Sequence, residues 1–207
     1  TISMGYVEEF DHYYNILREE FKKNCIKRVV TTCQNCFNTI KKNSKDIEVI
    51  PLWEIISEHG VPKEVRGKGE NVDLVFSIHD PCPTRHEAKT HDAIRDILDQ
   101  IGINYTEMKF NRENTLCCGS GGMTSLTNNT IATAQKMRRA NETKEEHIVT
   151  YCEECVGSMK KGGKSAVHIL DLLFNEDIYN TFNQTEVNTI KKWVNRYKGK
   201  KIFNNQK

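Results

Sequence analysis

Residues 148–161 read IVTYCEECVGSMKK, and residues 29–42 read VVTTCQNCFNTIKK. In each stretch an apolar run ends in a CxxC pair, followed by an amphipathic turn that closes on two lysines. The likeness resumes after one gap, with IEVIPLWEII (47–56) against SAVHILDLLF (165–174). Each copy therefore spells an apolar strand, a cysteine pair at a strand-to-helix turn, a second strand and a short helix. A unit used twice predicts two pseudo-repeated halves.

The segments outside the repeat continue the alternation. Residues 6–23 place Tyr6, Phe10, Tyr13, Leu17 and Phe21 at helical spacing, with acidic residues early and Lys22 and Lys23 late, as the helix dipole favours. KRVVTT predicts a buried strand, and GVPKEVRGKGEN (60–71) a linker or long surface loop with a domain boundary near residue 70. Beyond it follow a strand in VDLVFSIH, a helix over 86–101 with Ile94, Ile97, Leu98 and Ile101 inward, a strand in INYTEMKF, a helix over about 127–141 and a strand in HIVTY. Strands alternating with helices predict the α/β class, in parallel-sheet units covered by helices. The expected domains are residues 1–70, 71–180 and a basic helix and tail over 181–207.

The chain of 207 residues is 37% hydrophobic and 28% charged, and no apolar run approaches the roughly 20 residues that span a bilayer. Net charge is +2, yet residues 185–207 carry seven Lys or Arg against one Glu. Such an end can attract nucleic acid or an acidic partner. An amphipathic helix with Val187, Ile190, Val194 and Tyr197 inward accounts for it without nucleic acid. Eight cysteines, most of them in CC or CxxC pairs and without a secretory signal, point to metal or redox chemistry in the cytosol rather than to disulfides.

Five of these cysteines form the pattern Cys82, then Cys117–Cys118–Gly119, then Cys152 and Cys155, with 34 and 33 residues in the two intervals. Each cluster falls where a strand should end. In a parallel sheet those ends share one edge, where ligand sites gather. Helix N-termini at that edge lower thiol pKa values. The glycines of CCGSGGM let backbone approach a bulky centre, and Pro81 and Pro83 stiffen the segment around Cys82. Thiolates are preferred by zinc and by iron–sulfur clusters. Four satisfy tetrahedral zinc, so a fifth argues for a cluster with unusual ligation or a redox thiol beside a metal. A thioredoxin-like dithiol reading rests on CxxC alone and leaves Cys82 and the CC pair unexplained. His79 is either a donor to a cysteine sulfur, a proton source, or an ordinary polar residue capping a strand end.

HDPC (79–82), CCGSGG (117–122) and YCEEC (151–155), at this spacing, resemble the CCG family of cysteine-rich domains. Its members include the catalytic B subunit of heterodisulfide reductase and the iron–sulfur subunits of glycolate oxidase and anaerobic glycerol-3-phosphate dehydrogenase. The resemblance implies an oxidoreductase or electron-transfer subunit. It would bind one non-cubane [4Fe–4S] cluster through Cys82, Cys117, Cys118, Cys152 and Cys155, and act on a disulfide or relay electrons to a flavoprotein. Zn2+ in a structural assembly module is the alternative, since some motifs of the family look like zinc sites. No CxxCxxC run is present, so electrons would arrive through a flavoprotein or a ferredoxin-type iron–sulfur subunit. Family members usually carry two such domains. Cys33 and Cys36 then become an orphan pair, the end of a first domain whose earlier ligands lie outside this sequence or were lost, with Met4 opposite Met123. Cys25 has no counterpart and is taken as an ordinary cysteine.

Overall fold

The two copies of the repeat form the same unit, but their surroundings bury them differently. The computed structural model describes residues 5–183 and 188–204, so Met4 and Val187 lie outside the described residues. Helix α1 (Val7–Lys23) leads into β1 (Arg28–Thr31), α2 (Gln34–Asn43), β2 (Glu48–Pro51) and α3 (Leu52–His59). The second part runs β3 (Val75–His79), α4 (Ala88–Ile101), β4 (Asn104–Glu107), α5 (Thr124–Thr127) and α6 (Asn129–Ala140). It continues through β5 (His147–Thr150), α7 (Glu153–Lys161), β6 (Ser165–His168) and α8 (Ile169–Phe174), and α9 (Thr189–Asn204) follows. The fold is α/β, with every strand pair parallel: β1 with β2, and a four-stranded sheet ordered β4-β3-β5-β6.

Strand pairing follows the repeat. Arg28 lies opposite Glu48 in the first sheet and His147 opposite Ser165 in the second, so in both copies the strand before CxxC pairs in parallel with the strand after it, one residue out of step with the sequence match of Ile47 to Ser165. In both copies the first cysteine of CxxC is the N-cap of the following helix, Cys33 for α2 and Cys152 for α7, with extended backbone. The strands differ in burial. β5 is flanked by β3 and β6 and buries Ile148, Val149 and Thr150. β1 has only β2 beside it and leaves Val30 47% exposed, so the buried strand expected at KRVVTT is largely a surface one.

The main core lies on the four-stranded sheet. Phe76 and Ile78 of β3 meet Ile94, Ile97, Leu98 and Ile101 of α4, with Val149, Val167 and Leu172 from the repeat unit. Helix α4 ends on Gly102 in the left-handed region (φ 81°). There Ile103 N–H reaches back to Leu98 C=O, satisfying an otherwise orphan carbonyl. The stretch 60–71 is no free linker: Gly67 and Gly69 N–H donate to Gln100 and Ile101 carbonyls, and Val61 is buried. A Cβ on Gly69 would stand 2.8 Å from Gly102 O, so the loop lies against the end of α4. Trp53 of α3 also joins the main core and meets Tyr151 edge-on at 6.1 Å.

Two expected faces turn out differently. On α1 the buried residue is Tyr14, whose hydroxyl shares a 2.8 Å hydrogen bond with Ser44, whereas Tyr13 is 66% exposed. Phe10 stacks on Tyr14, so the packed stripe follows a spacing of four from Phe10. On α9, Ile190, Trp193, Val194 and Tyr197 are 44% to 76% exposed rather than inward. Arg196 and Lys201 lie over the Trp193 and Tyr197 rings and cover them with the helix's own cations. Among the described residues no helix is long and apolar enough to cross a membrane.

Because Trp53 fills the core beneath the second half, Trp53→Ala should cost about 3–5 kcal/mol, read as a lower urea midpoint of a single cooperative transition. A change confined to a separate early transition would show that α3 unfolds apart from the four-stranded sheet.

Candidate functional site

All five motif cysteines leave from the carboxyl edge of the parallel sheet. His79 ends β3 and pairs with Thr150 at the end of β5, so the segments carrying Cys82 and Cys152 leave the sheet at the same edge. The loop after β4 brings in Cys117 and Cys118. The thiols are interacting neighbours in an unbroken series, Cys82 with Cys117, Cys117 with Cys118, Cys118 with Cys155 and Cys155 with Cys152. Cys118 and Cys155 are buried, and Cys82, Cys117 and Cys152 are half-buried.

Two of the five are held as thiolates. Contacts from the Cys118 and Cys82 thiols hold Cys117 far below the ordinary thiol range, helped by the backbone N–H groups of Gly119, at 3.3 Å, and Gly121. Cys152 is brought down to about 6 by the Cys155 thiol, with N–H groups of Glu154 and Cys155 in the first turn of α7 assisting against burial. Cys82, Cys118 and Cys155 are pushed up, each first by a neighbouring thiol to which it donates. The glycine after the CC pair serves packing rather than access to the thiols. Gly119 has φ 87°, and a Cβ there would stand 2.9 Å from Ala132 O and 3.0 Å from the Lys136 side chain on α6.

A buried carboxylate ties the three cysteine segments together. Asp80, fully buried, accepts from Arg95 Nη1 and Nη2 at 2.7 and 2.8 Å, from Arg112 N–H at 2.8 Å and from the Tyr151 hydroxyl at 2.9 Å. Its carbonyl accepts from Thr115 Oγ1 at 2.6 Å. Asp80 is two residues from Cys82, Thr115 two from Cys117, and Tyr151 adjoins Cys152. Burial opposes ionisation, but the Arg95 hydrogen bonds and charge outweigh it and hold Asp80 at about 2. Depressed below its unfolded value near 3.8, this carboxylate adds roughly 2 kcal/mol of stability that is present above pH 4 and lost as pH falls towards 2.

His79 is buried beside the thiols, with Nδ1 accepting from Arg139 Nε at 2.9 Å. Nε2 is buried and meets no partner among the described residues, an arrangement that costs about 1–3 kcal/mol when left unsatisfied. Burial first, then the Arg139 charge, pushes the imidazolium down to about 3. The ring is therefore neutral at physiological pH in the metal-free protein. Residue types alone did not single out Asp80, Arg95, Arg139 or Tyr151. Arg95 did leave a signal, an arginine within the apolar stripe of α4 that needs a buried anion.

Cys33 and Cys36 stand apart from the five, both exposed, and Cys25 is exposed in the turn after α1. Cys33 and Cys152, the two N-cap cysteines, nevertheless line one cavity of 460 Å³ walled by Pro81, Pro83, Tyr151 and Leu170. Asn38 Nδ2 donates to Pro83 O at 3.0 Å, fastening α2 beside the Cys82 segment.

Comparison with known proteins agrees with this geometry. The family described as CCG, cysteine-rich domain, matches residues 76–160, the stretch from β3 to the end of α7. The chain is 28% identical over 155 residues to FadF of Bacillus subtilis, described as a probable iron-sulfur-binding oxidoreductase, covering 70% of this chain and 22% of that protein. It is 24% identical over 169 residues to one of the subunits of the dihydromethanophenazine:CoB–CoM heterodisulfide reductase of Methanosarcina barkeri, covering 75% of this chain and 41% of that protein. A third relative, the EtfAB:quinone oxidoreductase of Syntrophomonas wolfei, is 22% identical over 162 residues, with 72% of this chain and 22% of that protein covered. The chain thus spans less than half the length of each.

Two outcomes follow from the site. In the metal-free protein, alkylation of Cys152 by iodoacetamide, followed by peptide mass spectrometry, should rise between pH 5 and 7 with a midpoint near 6; a midpoint above 8 would contradict the thiolate assignment. Asp80→Asn should lower unfolding free energy by about 3 kcal/mol, the low end for breaking a buried pair because Glu107 still holds Arg95.

Proposed function

We propose, taking residues 76–160 as the CCG cysteine-rich domain they are, that Cys82, Cys117, Cys118, Cys152 and Cys155 together hold one iron–sulfur cluster, of the non-cubane [4Fe–4S] type. The observation that carries this is the unbroken series of five thiols at one sheet edge. Five sulfur donors exceed the four of a closed zinc site. The N–H groups at Cys117 and Cys152 suit anionic sulfur, and His79, buried with its Nε2 unpartnered among the described residues, stands by Cys118 and Cys155, so the residues present fit a thiolate-ligated cluster. The domain that provides them is residues 71–180, with residues 1–70 as the end of a first CCG-type domain that shares its core.

When bound, such a cluster takes up and passes on single electrons. The chain's own residues prepare the place. Cys117 and Cys152 are already thiolates, which lowers the proton cost of ligation near neutral pH. Asp80 sets the three segments in position before any ligand arrives. The prolines flanking Cys82 and the Tyr151 ring wall the cavity at Cys152.

We read the chain as an oxidoreductase subunit of the heterodisulfide-reductase type in the cytoplasm, exchanging electrons with a flavoprotein or a ferredoxin-type iron–sulfur subunit. Its substrate is a disulfide or thiol of a small organic molecule that enters the cavity between the two N-cap cysteines. The relatives' own descriptions, heterodisulfide reductase and quinone oxidoreductase, support this.

Anaerobic reconstitution with iron and sulfide tests the cluster. About four iron and four acid-labile sulfide per chain are expected, retained by the Cys33→Ser, Cys36→Ser double variant and lost in Cys118→Ser. Stoichiometric zinc that survives reconstitution, or iron without sulfide, would instead support the structural zinc module.

A further inference from the structure

Arg139 decides which nitrogen of His79 carries the proton. A guanidinium donates only and keeps its protons. With Arg139 Nε–H aimed at Nδ1 from 2.9 Å, Nδ1 must present a lone pair, and the neutral ring bears its hydrogen on Nε2. The arginine has no room to turn away. It is fully buried, its Nη1 donates to Phe110 O at 2.8 Å and to Glu142, and its Nη2 donates to Thr115 Oγ1 at 3.3 Å.

That leaves a buried N–H without an acceptor among the described residues. One ring nitrogen of His79 and the sulfurs of Cys118 and Cys155 all lie within 4.8 Å of one another. A metal ligand needs a lone pair at the free nitrogen. Supplying one would move the proton to Nδ1, against the Arg139 N–H. The grouping of one histidine with two thiols thus looks like a metal site by distance and is not one by hydrogen bonding.

We propose that His79 is a fixed hydrogen-bond donor to sulfur at the cluster site, through Nε2–H, and that it raises the reduction potential of the cluster without ligating it. This rests on the iron–sulfur reading above. A donor aimed at sulfur stabilises the more negative, reduced state, so its effect is on potential. Arg139 acts through His79 as a positioning residue.

Two measurements test it. Nitrogen NMR of the metal-free, uniformly labelled protein at neutral pH should show His79 protonated on Nε2 only, the signal being assigned by its loss in His79→Leu. A proton on Nδ1 overturns the proposal. After anaerobic reconstitution, His79→Leu should keep its iron but shift the one-electron equilibrium towards the oxidised form at least tenfold, which is about 59 mV lower. His79→Gln, which keeps an N–H, should recover most of that shift even if the leucine variant loads poorly. Full iron with an unshifted potential in His79→Leu overturns this proposal alone. A native chain that takes up no iron overturns the parent reading, so the two failures are told apart.

Discussion

The Asp80 carboxylate is the constraint on which the site depends. Its two carboxylate oxygens and its carbonyl gather donors from α4, from the loop before Cys117 and from Tyr151 just after β5, and so tie its own Cys82 segment to those of Cys117 and Cys152. Parallel strands deliver the three segments to one edge, but a sheet edge alone leaves loops free to drift. A buried anion with four charged or polar partners removes that freedom. Because an unpaired buried charge is far costlier than a paired one, the loops are held wherever Asp80 is ionised.

Around this frame the thiols differ in character although they are chemically identical. Those that accept from neighbouring thiols, helped by backbone N–H groups, are thiolates, and those that donate to a neighbouring thiol keep their protons. Cys33 caps α2 as Cys152 caps α7, yet it has only Cys36 as a thiol neighbour and stands exposed. The same unit is thus a dithiol in one half and part of a five-thiol centre in the other. The difference lies in β3 and the CCG loop, which flank only the second copy.

Much of this was legible in the residues. Strand-to-helix turns at both CxxC pairs, the parallel arrangement and the convergence of five cysteines follow from a repeat and a spacing pattern, which survive in one dimension. What was not legible depends on neighbours far away in sequence. Whether VVT in β1 is buried depends on how many strands stand beside it, and Tyr14 rather than Tyr13 packs because Ser44 lies opposite. The basic last turn of α6 reads as ordinary dipole complementarity, and nothing local marks Arg139 as the partner of His79. The apolar residues of α9 are periodic enough to predict burial, yet periodicity cannot supply a surface for them to pack against.

The most direct measurement of the central claim is an anomalous-difference map at the iron absorption edge, from crystals of the anaerobically reconstituted chain. Density is expected enclosed by the sulfurs of Cys82, Cys117, Cys118, Cys152 and Cys155, beside His79 but beyond ligating distance of it. Density at Cys33 and Cys36 instead, or a metal bound by His79 Nε2, would contradict that claim.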